Sequence, residues 1–183
     1  SNTIAMAEIR TDLGDRDIRS AVTWQGLGSQ DVNDNPQHCR ERNEIDPEQP
    51  TNWCSGGAGC SNPERLVDNG RDTRGGSWST FRAIVTQVFT VLPPNKEVCV
   101  GQWIDGPGTC PPSSNHQGGV HVLMGDGAVV FMTDSVESGD QRQGGVRLGQ
   151  TGPRSPGSKS PDGLWGALGT KASNETIEEQ LNQ

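Results

Sequence analysis

Residues 113–133 read SSNHQGGVHVLMGDGAVVFMT, and their reading decides the fold. Two apolar runs, VHVLM and AVVFM, flank Gly125-Asp126-Gly127. Asp-Gly between such runs is a strong β-hairpin signal, because a type I′ turn needs φ > 0 at both central positions. A two-residue turn at Asp126 and Gly127 sets Leu123 opposite Val130 and His121 opposite Met132. Val120, Val122, Met124, Val129, Phe131 and Thr133 then share the other face, which is almost wholly apolar and is expected to be buried. The His121 face is also largely apolar. A hairpin apolar on both faces belongs in the middle of a sheet or under a covering helix.

The same stretch places His116 nine residues ahead of Asp126-Gly127. A catalytic His–Asp pair is one reading. A strand rises about 3.3 Å per residue, so Gly119 to Asp126 spans roughly 20 Å. His116 precedes the strand by three residues and can double back by at most about 10 Å. The two side chains are therefore expected at opposite ends of the hairpin. Asp126 with Gly127 makes the turn, and His116 is expected to cap loop backbone through a ring N–H. His121, mid-strand on an apolar face, reads as a core histidine with its ring satisfied.

Around the hairpin, the 183-residue chain has little core material: 30% hydrophobic residues, three Phe and no Tyr, against 25 Gly and 12 Pro. Such a composition points to a loop-rich, mostly β or irregular protein and away from a helix bundle, while five Trp argue that something packs. The net charge of −8 repels phosphate backbones, so nucleic acid is not an expected partner. No run approaches the ~18 apolar residues of a membrane span. No signal peptide is visible, and with Ser1-Asn2 at the start a mature or trimmed form is expected.

Residues 3–9 and 18–24 read as strands. Residues 25–76 form a long polar loop region holding Cys39, Cys54 and Cys60. Loops of that length are functional, stapled or disordered. Residues 80–92 are a strand pair or a short helix, ended by Pro93-Pro94. Residues 138–163 form a flexible surface loop. GLWGALG then restores apolar character and is expected to dock Trp165 on the sheet. SNETIEEQL, from Ser173, reads as a short capped helix.

None of the five cysteines forms the C-x-x-C pair that zinc sites usually need, so zinc is not expected. Cys54 and Cys60 flank SGGAG, and Cys99 and Cys110 flank a Gly/Pro-rich loop. Both look like short-loop disulfides, with buried free thiols as the alternative; disulfides imply an oxidising compartment. Cys39 is left over, its partner upstream, in another subunit or absent.

Asp31, Asn33 and Asn35 match the start of an EF-hand loop, but Pro36 stands where that loop needs Gly, and Arg42 where it needs an acid. An irregular calcium-stapled loop stands against a hydrated Asx-turn loop, and calcium is the only cofactor in view. Ser55, Ser77 and Ser79 have no placed base. There is no G-x-S-x-G, phosphate-binding loop or zinc-protease helix, so no catalytic residue is assigned.

Four stretches, in order, resemble one family. SSNHQGGVHVLMGDGAVVFM carries a His, nine residues, Asp-Gly motif. The opening SNTIAMAE, the segment FTVLPPNKEVC with Pro93, Pro94 and Asn95, and DGLWGALGTKASNE with Trp165 are similar to its other signatures. The chain thus resembles the large planctomycetal family of pseudopilin-like proteins, domain-of-unknown-function family 1559. That resemblance implies a type IV pilin-like methylation site and membrane helix upstream, so that contact with a membrane runs only through this missing helix. It also implies a pilin-like fold, a long helix on an antiparallel sheet.

These readings give a single domain over residues 1–183 of α+β class, mostly antiparallel β with long irregular loops. Its expected role is non-enzymatic: the extracytoplasmic part of a pseudopilin-like subunit, secreted or at the cell surface, assembling with copies of itself or other pilin-like subunits. The alternative is a solute- or glycan-binding module using Trp53, Trp78 and Trp103. A hydrolase would need His116 or His121 beside a carboxylate or nucleophile in a cleft.

Overall fold

The computed structural model describes residues 3–24, 30–61, 63, 66–67, 72–101 and 105–170. Trp103 and the segment 173–181, read as a helix, lie outside the described residues. The fold is α+β and mostly sheet, with long irregular loops. Strands β1 (Ile4–Ala7), β6 (Gly119–Met124) and β7 (Val129–Thr133) form one antiparallel sheet in the order β1-β6-β7. Strands β2 (Val22–Trp24), β3 (Leu66–Val67), β4 (Cys99–Val100) and β5 (Gly108–Thr109) form a second, ordered β3-β2-β4-β5, in which β2 and β4 run parallel. Short helices α1 (Gln30–Asp34), α2 (His38–Glu41), α3 (Ala83–Thr86) and α4 (Gly163–Gly169) fill the connections.

The hairpin register differs from the expected one by one residue. Leu123 pairs with Val129, His121 with Phe131, and Val120 with Met132. The turn is the cause. Gly127 lies at φ 91°, whereas Asp126 stays out of the positive-φ region. Gly127 N–H donates to Met124 O at 3.0 Å and Met124 N–H to Ala128 O at 2.8 Å. This is a three-residue loop closed by one left-handed glycine, not a two-residue type I′ turn. One more loop residue moves the whole of β7 to the other side.

Consequently Val120, Val122, Met124 and Met132 share the buried face with Ile4, Ala7 and Val130, under Trp165 and Leu168 of α4. Val129, Phe131 and Thr133 do not join them. Trp165 is wholly buried and its indole N–H donates to Leu92 O at 2.8 Å. β6 is central, as a strand apolar on both faces requires, but β7 is an edge. The second face stays open: Met6 is 66% exposed, Val129 65% and Phe131 41%.

The second sheet separates two apolar clusters by strand alternation. Val22, Val67 and Val100 pack with Ile84 and Val85 of α3 and with Cys110. Cys99 packs on the other side with Ile18, Val32, Cys39 and Trp53. This alternation corrects the cysteine pairing. Cys99 faces Thr109 across the β4–β5 ladder, so Cys110, one residue on, points to the opposite side. The disulfides are Cys39–Cys99 and Cys54–Cys60, and Cys110 is a buried free thiol. Region 25–76 is therefore stapled, and it carries α1, α2 and β3. Beside the first staple, Arg40 of α2 makes a bidentate pair with the buried Glu97, at 3.0 and 2.6 Å. Segment 138–163 is irregular apart from a 3₁₀ turn at Gly152–Arg154 and the start of α4 at Gly163, and it lies against α1 and α2. Arg142 pairs with Glu41, and Arg147 and Arg154 reach Asp34 at 3.1 and 2.7 Å.

Arg74, fully buried, ties α3 to the chain after β5 by donating to Ile84 O, Gln87 O and Pro111 O. Burial pushes the neighbouring Cys110 thiol from 9.0 up to about 11, with Arg74 offsetting only part of that rise. The folded state therefore holds this proton more tightly than the unfolded chain. Its contribution is complete below the unfolded value and is lost as pH rises through the folded one. We expect stability to fall by about 2–3 kcal/mol between pH 9 and 11 in the wild type and by less in Cys110→Ala, read by urea unfolding at each pH. Equal slopes would show that the thiol is not buried as described.

Candidate functional site

The site is assembled where the two ends of the first sheet's chain segments meet. Glu8 follows β1 and continues its ladder, its N–H donating to His121 O at 3.2 Å. Glu8, His121 and Phe131 thus form one row across the open face. Glu8 Oε2 accepts the His121 N–H at 2.8 Å, which turns Oε1 towards two imidazoles. His116 Nε2 lies 3.3 Å and His121 Nδ1 3.4 Å from Oε1. The rings meet edge to face, centroids 4.9 Å apart, and the Phe131 ring centroid stands 5.1 Å from that of His121.

The loop carrying His116 is fixed by buried hydroxyls. Ser114 Oγ donates to Gly119 O at 2.6 Å and accepts the His116 N–H at 3.0 Å. Asn95, held at φ 60° directly after Pro93-Pro94, accepts the Ser114 N–H at 2.9 Å and donates to Asp134 at 2.7 Å. A short polar side chain tolerates this left-handed backbone better than most residues. Asn95 thus joins the loop before β6 to the end of β7. Ser113 Oγ accepts from Arg10 N–H at 2.9 Å and donates to Arg19 O at 3.1 Å. Glu8, Arg10, Ser113, Ser114 and His116 wall an adjacent cleft of about 410 Å³.

Partial burial opposes ionisation of Glu8. The His121 N–H bond and the two imidazoles outweigh it and hold the carboxyl below the usual carboxylate range. Glu8 is thus a carboxylate at neutral pH, able to accept from protonated imidazoles or to share a cation with neutral ones. A proton-transfer role would need a nucleophile or substrate group in the cleft, and the two serine hydroxyls there are committed to backbone.

His116 and Asp126 stand at opposite ends of the hairpin. Two expectations are corrected. His116 meets a carboxylate, not loop backbone, and His121 is not a core residue: its side chain is 43% exposed. Sequence reasoning missed Glu8 altogether. The period-2 alternation of AMAEI puts Glu8 on the face of Met6, but only the β1–β6 register shows what it meets.

The other candidates disperse. Asp31 lies on α1, its carbonyl accepting from Asn35 N–H at 2.9 Å; the Asn35 amide donates to Glu41 at 2.7 Å, and Asn33 O takes Arg154. Asn35 Oδ1 accepts the Gln37 N–H at 3.0 Å, an Asx-type turn. Trp53 is buried and donates to Ala21 O at 2.7 Å, whereas Trp78 is 93% exposed, so these two do not form a shared aromatic platform.

The fold and site define a disulfide-stapled α+β protein, mostly sheet, with a Glu–His–His cluster on one open sheet face. The family model described as "Protein of unknown function (DUF1559)" matches residues 1–139, and the chain belongs to that family, in agreement with the resemblance of its motifs. No curated protein and no solved structure matches it. No helix among the described residues is long and apolar enough to cross a membrane, and the two disulfides are consistent with an extracytoplasmic protein.

Proposed function

We propose that this chain is the extracytoplasmic part of a pseudopilin-like assembly subunit, and that it performs no chemistry of its own. The observation that carries this reading is the open face of the β1-β6-β7 sheet. Met6, Leu123 and Val129 lie in one row and Phe131 in the next, with Met6 and Val129 about two-thirds exposed. A contiguous apolar sheet face in water favours a partner. Its occupant in this reading is the apolar helix of a pilin-like subunit, which would cover the sheet on the side α4 leaves bare.

A photo-crosslinking residue at Val129, in cells making the full chain, tests this. Adducts mapping by mass spectrometry to an apolar helix of this chain or of another pilin-like chain are expected. Absence of adducts, or adducts only to unrelated proteins, would overturn the reading.

A further inference from the structure

We propose that Glu8, His116 and His121 form a binding site for one first-row divalent metal ion, on the open sheet face beside the cleft. Each residue offers one ligand atom, and the three atoms lie within 4.8 Å of one another. Two imidazoles and a carboxylate are borderline donors suited to zinc and its neighbours, not to calcium. The spacing also fits. Bonds of about 2.0–2.1 Å at tetrahedral angles place donor atoms about 3.3 Å apart. The two distances from Glu8 Oε1 are 3.3 and 3.4 Å. The edge between the two imidazoles is no longer than 4.8 Å, and His116, at 53% side-chain exposure, has room to turn.

The surroundings are those of a prepared site. The second oxygen of Glu8 is held by the His121 N–H, His121 is packed against Phe131, and His116 is carried by the Ser114–Asn95 network. Fixing ligands through outer hydrogen bonds is how metal sites gain affinity. Three protein ligands leave at least one coordination position for water or for a donor from a partner. The missing C-x-x-C pair speaks only against thiolate sites, and this donor set contains no sulfur. All three ligands come from one chain, so the metal titration does not depend on the assembly reading, although both place their occupant on the same open face.

The test uses Zn²⁺ titrated calorimetrically into the full chain after chelator treatment, with His116→Ala, His121→Ala and Glu8→Gln as variants. The Gln oxygen still accepts the His121 N–H, and His116 contributes little to packing, so folded variants are available. One Zn²⁺ per chain is expected, with affinity about tenfold or more weaker in each variant and a visible-region Co²⁺ spectrum that His116→Ala abolishes. No heat of binding to the wild type would overturn the proposal. So would equal affinity in all three variants, which would place the ion among scattered carboxylates of this acidic chain.

Discussion

Replacing Trp165 with alanine is expected to lower the unfolding free energy by about 3–5 kcal/mol, the range for deleting a large buried aromatic. Trp165 is wholly buried and lies against Val120, Val122, Met124 and Met132, so truncation leaves a cavity under the whole inner face of the first sheet. It also strands the carbonyl of Leu92, which is itself buried, and an unpaired buried acceptor adds about 1–3 kcal/mol. Trp165→Phe helps to separate the two effects, since it keeps much of the volume while losing the donor. Urea unfolding with an unchanged m-value is the measurement. A loss below about 1 kcal/mol for the alanine variant would mean that α4 is not part of the core.

The second large effect is expected from the Cys39–Cys99 disulfide. It closes a loop of sequence separation 60, and loss of that crosslink frees the unfolded chain by about 4 kcal/mol in the loop-entropy account. Cys54–Cys60 closes a separation of only six, so its removal is expected to cost about 2 kcal/mol less. Paired alanine variants, Cys39→Ala with Cys99→Ala and Cys54→Ala with Cys60→Ala, compared by urea midpoints, check this ranking. Equal losses, or the reverse order, would show that the long staple acts through native packing and not through the unfolded chain. The Arg40–Glu97 pair survives in the first variant and keeps α2 on the sheet, which favours an effect on the unfolded state.

Much of the architecture could be read from sequence where the signal was local. The hairpin, β1 and the α+β class all follow from short apolar runs and their punctuation. The register did not, because Gly125-Asp126-Gly127 supports loops of two or three residues, and only backbone φ separates them. Cysteine pairing failed for a different reason. Cys99 and Cys110 are close in sequence, yet strand alternation sends them to opposite faces, while Cys39 arrives from a helix that packs against a parallel pair of strands. The candidate site was the least legible. His116 and His121 were visible, but Glu8 lies 108 positions from His116, and no spacing rule connects residues joined only by a sheet ladder. His121 was read as buried because its strand neighbours are apolar; in fact that apolar row is the open one.

The nine residues between His116 and Asp126-Gly127 acquire a meaning from the fold. The two ends of the motif do not touch, so the interval is not the reach of one side chain to another. It is a ruler. It sets the length of β6 between a polar clasp at one end and a glycine corner at the other, and with it the parity of every residue between. Adding or removing one residue between His121 and the turn would swing His121 to the side of Trp165 and leave Glu8 facing Val120 or Val122. A motif defined by a histidine and a turn is, in this chain, a statement about odd and even positions on a strand.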